Sequence, residues 1–311
     1  MTRPPTAGYV HEALFYSSDD ELLTTAVPFL SEGLAQDETV IVQCRDAVNR
    51  LLGAALEEDP RVAYLPRPGS SGRPARLMAK VRDSLREARD HGIRVRGVGE
   101  VDFGETPSER IESSRLEAAA NTVWAPYPLW GICMYDARVL SPEVMRTGRL
   151  THPYLLTADA HGPNPSYVDP ATFLRQLPSC HDLLQETPPA LDIRGVTDIA
   201  DLRTSAHRVC LADSAVPKGD VAEFVYALSE VTTNALVHGS APVDVRVWTA
   251  PDRVLGTVTD HGEGFDDPLA GFVPPDDLTS CQGLWLARNL CDHVDVDRTG
   301  GAFEVRLLTG R

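Results

Sequence analysis

The chain of 311 residues contains no uninterrupted apolar run approaching the roughly 20 residues that a helix needs to cross a bilayer, and no apolar core follows a basic start. The expectation is a cytoplasmic protein with no membrane contact. Positive charge is also scarce: 29 Lys and Arg stand against 45 Asp and Glu, a formal net charge of −16. A nucleic-acid groove needs clustered cations to release counterions, so this balance argues against one and points to a protein partner. The six cysteines lack paired metal-type spacing, and His207-x-x-Cys210 and Cys291-x-His293 stand as isolated pairs. They read as reduced thiols engaged in packing. A phosphate loop is missing too. After the apolar segment 39–43 the chain continues Cys44, Arg45, Asp46, Ala47, Val48, Asn49, with no GxxxxGK[ST] to wrap a triphosphate.

What is present first is rhythm. Segments 12–16, 39–43, 62–65, 93–97 and 129–135 read as short buried strands, and 20–35, 46–56, 75–91 and 108–123 as amphipathic helices between them. Strand and helix in alternation predict an α/β domain with a largely parallel sheet covered on both faces. Ligands of such sheets sit at the carboxyl ends of strands, where Cys44, Glu100, Tyr135 and Asp136 fall. His11, Glu100 and His152 either line a ligand site or are polar groups at strand ends. Residues 178–190, which contain Pro188 and Pro189, read as a linker.

Beyond the linker, the stretch 220–239 reads as one helix with two faces. Asp220 and Glu223 suit a capping box and Gly239 a C-terminal stop. Val221, Phe224, Val225, Leu228, Val231, Ala235 and Leu236 form an apolar stripe that must pack on a sheet. Glu230 and Asn234, at i and i+4, stand side by side on the other face. A strand over 254–259 then runs into Asp260, with Gly262 and Gly264 following at alternate positions. This combination suits a carboxylate that recognises a flat ligand approached closely by the backbone. A loop rich in Pro, Asp and Gly, 266–282, delivers Gly283 and Leu284 to the mouth of a further helix, where backbone N–H groups favour phosphate. Segments 191–193 and 243–249 add strands, and Thr299-Gly300-Gly301 marks a hairpin. The expected result is helices over one face of a mixed sheet.

Glu230-x-x-x-Asn234, Asp260-x-Gly262-x-Gly264 and Gly283-Leu284 together resemble the N, G1 and G2 boxes of the GHKL (Bergerat-fold) ATPases, and within them the anti-sigma-factor serine kinase branch. The G2 region departs from the pattern in carrying a single glycine, Ser280-Cys281-Gln282-Gly283. The resemblance covers 191–311 and implies a C-terminal α/β sandwich of histidine-kinase-like ATPase type that binds ATP and Mg²⁺. Asp260 would meet the adenine amine, Asn234 the Mg²⁺, Gly283 and Leu284 the phosphates, while Glu230 would act as base on the attacking hydroxyl. His238, one turn beyond Asn234, is either a phosphate contact or a cap on the helix end. In the first 177 residues, the run His11 to Tyr16, Phe29-x-x-Glu32-Gly33-Leu34, Tyr135-Asp136 and Thr151-His152-Pro153 resemble the MEDS sensory domain, related to RecA- and KaiC-like folds.

The division expected is therefore 1–177 sensory, 178–190 linker and 191–311 ATPase. No dimerisation helix with a phosphoacceptor histidine precedes the second part, since His181 lies in the linker and His207 lacks an acidic neighbour and a following proline. The resemblance thus implies a serine/threonine kinase, gated by the sensory domain, that phosphorylates a STAS-domain anti-anti-sigma protein, with a sigma factor as a further partner held competitively on the same domain; a homodimer is left open. The alternative is a non-catalytic module whose nucleotide switches partner affinity, which the sparse G2 box favours, and a hydrolase without a protein acceptor is the third reading.

Overall fold

The computed structural model describes residues 8–67, 73–157, 161–273, 282–299 and 301–310. These form two compact units. The first takes residues up to 67 with 78–105 and 113–176, and the second takes 177–310 with two short pieces of earlier chain, 73–77 and 106–112.

The first unit alternates as its sequence demands: β1 (Val10–Tyr16), α1 (Asp19–Ala35), β2 (Thr39–Cys44), α2 (Asp46–Ala55), β3 (Val62–Pro66), α3 (Pro74–Asp90), β4 (Val95–Glu100), α4 (Pro107–Val123) and β5 (Leu129–Asp136). The chain continues through α5 (Pro142–Thr151), β6 (Tyr154–Leu156), β7 (His161–Pro163) and α6 (Pro170–Gln176). Sheet order is β3-β2-β4-β5-β1-β6-β7, and every pair is parallel except the terminal β6–β7. Parallel strands covered on both faces must be apolar on both, and all but one residue of β1 is buried. Strand β4 starts two residues later than the apolar pattern suggested. Ile93 is spent on ending α3: its N–H bonds back to Ala88 O at 2.8 Å past Gly92 at φ +69°, which leaves its side chain exposed.

The second unit contains β8 (Leu191–Ile193), α7 (Ile199–Asp213), α8 (Lys218–His238), β9 (Asp244–Thr249), β10 (Arg253–Asp260), α9 (Gln282–Leu290), β11 (His293–Thr299) and β12 (Ala302–Gly310). Its order is β11-β12-β10-β9-β8, and all described pairs are antiparallel, where a mixed sheet was expected. The cause is parity. Two helices, rather than one, separate β8 from β9, so the chain returns in the opposite direction, and β12 inserts between the co-directional β10 and β11. Val221, Phe224, Val225, Leu228, Val231 and Ala235 of α8 are buried in one core with Val245, Val247, Val258, Val305 and Leu307 of the sheet.

Two details of α8 differ from the sequence reading. The helix begins at Lys218 behind Pro217, with no side-chain cap, so Asp220 is already inside the first turn. Asp220 and Glu223 instead accept from the Arg73 guanidinium, a stronger, charge-assisted use of the same carboxylates. Leu236, assigned to the apolar stripe, is 41% exposed and stands outside the core that Ala235 joins.

Residues 179–187 lie on the face of this sheet away from α8. Leu184 packs against Trp248, Leu255 and Leu308, and the Trp248 indole donates to Thr187 O at 2.9 Å. Asp182 caps a 3₁₀ turn, Leu183–Glu186, and pairs with Arg253 at 3.1 Å. Half-burying one leucine and forming a few such bonds is worth about 1–3 kcal/mol. A fragment 177–311 is therefore expected to be more stable in urea unfolding than 191–311 by that margin, and coincident urea midpoints would show that 177–190 contributes no packing.

Candidate functional site

The second half of α8 organises the site, because its apolar stripe fixes its rotation on the sheet and leaves Glu230 and Asn234 on the opposite side, both half-buried. Asn234 makes no side-chain hydrogen bond among the described residues. Gly283, in the first turn of α9, lies directly on this pair. A Cβ at Gly283 would collide with Asn234 Nδ2 and come within 2.9 Å of its Cγ and 3.1 Å of Glu230 O. Contact between the helices thus requires glycine at this point and brings the start of α9 against the carboxamide.

One turn on, α8 ends at Gly239, where a Cβ would lie 2.5 Å from Asp260 Oδ1. Asp260 ends β10 and is only 4% exposed. Its Oδ1 accepts from Gly262 N at 2.6 Å and Ser240 N at 3.2 Å, so the carboxylate is locked in orientation while Oδ2 takes no hydrogen bond among the described residues. A Cβ at Gly262 would lie 2.8 Å from Asp260 Oδ1 and 3.0 Å from Gly239 Cα. Gly264 adopts φ +60° over the ring of Phe303, a conformation and a clearance that only glycine satisfies. The arrangement offers an oriented acceptor beside bare backbone, suited to the amine edge of a flat ligand.

Other predicted residues fall out differently. Leu284 is buried in the core, so only its backbone can face a ligand. His238 is exposed at the helix end. In the preceding loop, Arg288 donates to Ala270 O at 3.1 Å and stacks over Phe272 at 4.3 Å, anchoring 270–272 on α9. Ser280 and Cys281 of the expected phosphate clamp lie outside the described residues.

In the first unit, the strand-end residues form a closed ionic group. Arg45 lies 3.2 Å from Glu100 and 3.0 Å from Asp136, and Arg138 lies 2.8 Å from Asp136. The Arg138 hydrogen bond holds the Asp136 carboxyl well below the usual carboxylate range. Burial pushes the Cys44 thiol up to about 12, so it stays protonated. Glu100 is thus engaged with Arg45 and does not join His11 and His152, whose rings meet elsewhere with centroids 3.8 Å apart.

With this geometry in hand, family profiles settle the assignment of both parts. Residues 10–153 match the MEDS family, described as the methanogen/methylotroph, DcmR sensory domain, and residues 195–309 match the histidine kinase-like ATPase domain. The chain joins a MEDS domain to a histidine kinase-like ATPase domain. No curated protein matches. Among solved structures, the RsbU and RsbW domains of a Mycobacterium tuberculosis protein share 23% identity over 40% of this chain and 32% of that one, with a TM-score of 0.27. This chain therefore spans about a third of that protein's chain. Among the described residues no helix is long and apolar enough to cross a membrane.

Within the ATPase domain, sequence reasoning missed Arg203. Its guanidinium, on α7, lies 3.5 Å from Glu230 Oε1 and donates to Ser229 Oγ at 2.9 Å. An arginine 27 positions before a glutamate carries no local signal; only the packing of α7 on α8 pairs them.

The fit of Gly283 over Asn234 is open to a double-mutant cycle. Gly283→Ala alone is expected to cost about 1–3 kcal/mol, as overpacking usually does. In an Asn234→Ala background most of that cost should vanish, leaving a coupling above about 1 kcal/mol in urea unfolding. Additive effects would mean the two residues do not touch.

Proposed function

We propose that the ATPase domain binds ATP with Mg²⁺ and acts as an anti-sigma-factor-type serine/threonine kinase on a STAS-domain anti-anti-sigma protein, with the MEDS domain as its sensory input. The observation that carries the reading is the line of groups along α8 and at the end of β10: a locked carboxylate at Asp260, a carboxamide at Asn234 that makes no side-chain hydrogen bond among the described residues, and a half-buried carboxylate at Glu230. The residues fit the nucleotide. Asp260 Oδ2 is the acceptor for the adenine amine, with the Gly262 and Gly264 backbone beside it bare of side chains. Asn234 offers an amide oxygen of the kind a hard cation takes. Gly283 and the N–H of Leu284 are at hand for phosphate at a helix start. Bound ATP–Mg²⁺ would supply the transferable phosphoryl group and the charge that steadies it.

Within this reading Glu230 orients the partner's serine or threonine hydroxyl and takes its proton. Arg203, at 3.5 Å, holds that carboxylate in place while leaving it half-exposed to an incoming chain. The division into 1–177, 178–190 and 191–311 belongs to the same proposal, as does a sigma factor bound competitively with the STAS protein. A cytoplasmic setting agrees with both partners. The competing reading, a nucleotide-dependent binding module without transfer, is favoured by the single glycine of the G2 region.

Variants separate the two. Asn234→Ala should weaken Mg²⁺-dependent ATP binding and transfer together. Glu230→Gln should bind ATP as wild type does but slow phosphoserine formation on the STAS partner about 10²–10⁴-fold, the usual worth of general-base assistance. Wild-type protein that binds ATP and partner yet transfers no phosphate would establish the binding module instead. Full transfer by Glu230→Gln would leave the kinase standing but remove its base.

A further inference from the structure

Four side chains that play no part in the nucleotide site converge inside the MEDS domain. In parallel register His11 of β1 lies opposite Gly131 of β5, so Cys133, two residues on, shares the face of the sheet that His11 occupies. Glu117 comes down onto this face from α4, with Asn121 one turn later, and His152 is delivered by the end of α5. One ligating atom from each of His11, Glu117, Cys133 and His152 lies within 4.8 Å of all the others. His11 Nε2 is 3.4 Å from Cys133 Sγ and 3.7 Å from Glu117 Oε2, and His152 Nε2 is 3.3 Å from Glu117 Oε2. A tetrahedral ion with bonds of about 2.0–2.3 Å holds its ligand atoms roughly 3.3–3.7 Å apart, so small adjustments close the shell.

The outer nitrogens decide which way the inner ones face chemically. His152 Nδ1 lies 2.8 Å from Gly148 O, and a carbonyl can only accept, so Nδ1 carries the proton and Nε2 presents a lone pair. Asn121 Nδ2 donates to Thr151 O at 2.8 Å, which turns its Oδ1 toward His11 Nδ1 at 3.1 Å. His11 Nδ1 is therefore a donor as well, and its Nε2 also presents a lone pair. Two imidazole lone pairs, a thiol and a carboxylate thus point at one another, with His11, Glu117 and His152 buried and Cys133 partly exposed. His152 is fully buried and its Nε2 has no hydrogen-bond partner among the described residues. Orientation of ligating histidines by a carbonyl and a side-chain amide is the usual support of a built metal site.

We propose that His11, Glu117, Cys133 and His152 form a tetrahedral site for a borderline-soft divalent transition-metal ion, of which Zn²⁺ is the representative. The donor set of one sulfur, two nitrogens and one oxygen selects against hard ions such as Mg²⁺ and Ca²⁺. Burial favours the neutral imidazoles that coordination needs, lowering His11 to about 4 and His152 well below its ordinary value. Burial likewise raises Glu117 to about 7 and Cys133 well above the usual thiol range. Without an ion, protons on the thiol and the carboxyl are shared among these groups. Ion entry displaces both protons, which leave to solvent, and ties two strands and two helices of the domain to one centre. Metal occupancy becomes a stimulus, or a structural condition, for the sensory part of the chain.

The test uses the full chain, stripped with a chelator under reducing conditions and titrated with Co²⁺ and then Zn²⁺. One equivalent of Co²⁺ should develop a thiolate-to-cobalt charge-transfer band with tetrahedral d–d absorption, and Zn²⁺ should bleach both. Cys133→Ser should remove the charge-transfer band, and Asn121→Ala should weaken binding 10- to 100-fold. Should Cys133→Ser fail to fold, the wild type still decides: bound Zn²⁺ should protect Cys133 from alkylation, read by peptide mass, while Cys180 remains reactive. No cobalt band in a folded wild type, a band unchanged in Cys133→Ser, or no zinc protection of Cys133 would overturn the proposal and leave a core held by protons alone.

Discussion

Exclusion of side-chain volume at three points around α8 is the constraint on which the second unit depends. Gly239 and Gly262 leave room for the Asp260 carboxylate, and Gly283 lets α9 lie against Asn234. A β-carbon at Gly239 or Gly262 would press on Asp260 Oδ1, and one at Gly283 would push on the Asn234 amide, so each glycine protects a polar group rather than merely permitting a turn. The apolar stripe of α8 supplies the complementary condition. With Phe224 and Leu228 fully buried, the helix cannot rotate, and Glu230 and Asn234 are held on the open side by packing they take no part in.

Much of this was legible because the signals are local and mutually consistent. Helical periodicity over one stretch placed Glu230 and Asn234 together, and glycines at alternate positions after Asp260 announced a close approach. The errors arose where local signals were ambiguous. Asp220 with Glu223 looks like a capping box, but the pattern is silent about Arg73, which takes both carboxylates from 147 or more positions away. The strand directions of the second sheet could not be read from crossovers alone, since the parity of two intervening helices decides them. The proline-bearing segment 178–190 showed its prolines, but Leu184 gives no sign in sequence that it will cover Trp248.

The first unit illustrates the opposite limit. Its α/β rhythm is plain, yet the four groups that meet beneath its sheet are drawn from positions 11, 117, 133 and 152, and no motif spacing links them. His11 and His152 stood out in sequence only with Glu100, which the structure commits to Arg45 at the strand ends. Glu117 lies in a helix whose amphipathic pattern offers it no distinction from the other acids of α4. The convergence is a property of register: Ala13 lies opposite Cys133 in the parallel β1–β5 pair, and only that pairing puts the thiol beside His11.

Photo-crosslinking the full chain with 8-azido-ATP and Mg²⁺ tests the location of the nucleotide most directly, since the azide reacts within reach of the base. Labelled peptides are expected between Gly239 and Gly264, with labelling suppressed by unmodified ATP and lost in Asp260→Ala. Labelling concentrated at residues 44–49, or undiminished in Asp260→Ala, would contradict a nucleotide site organised by α8.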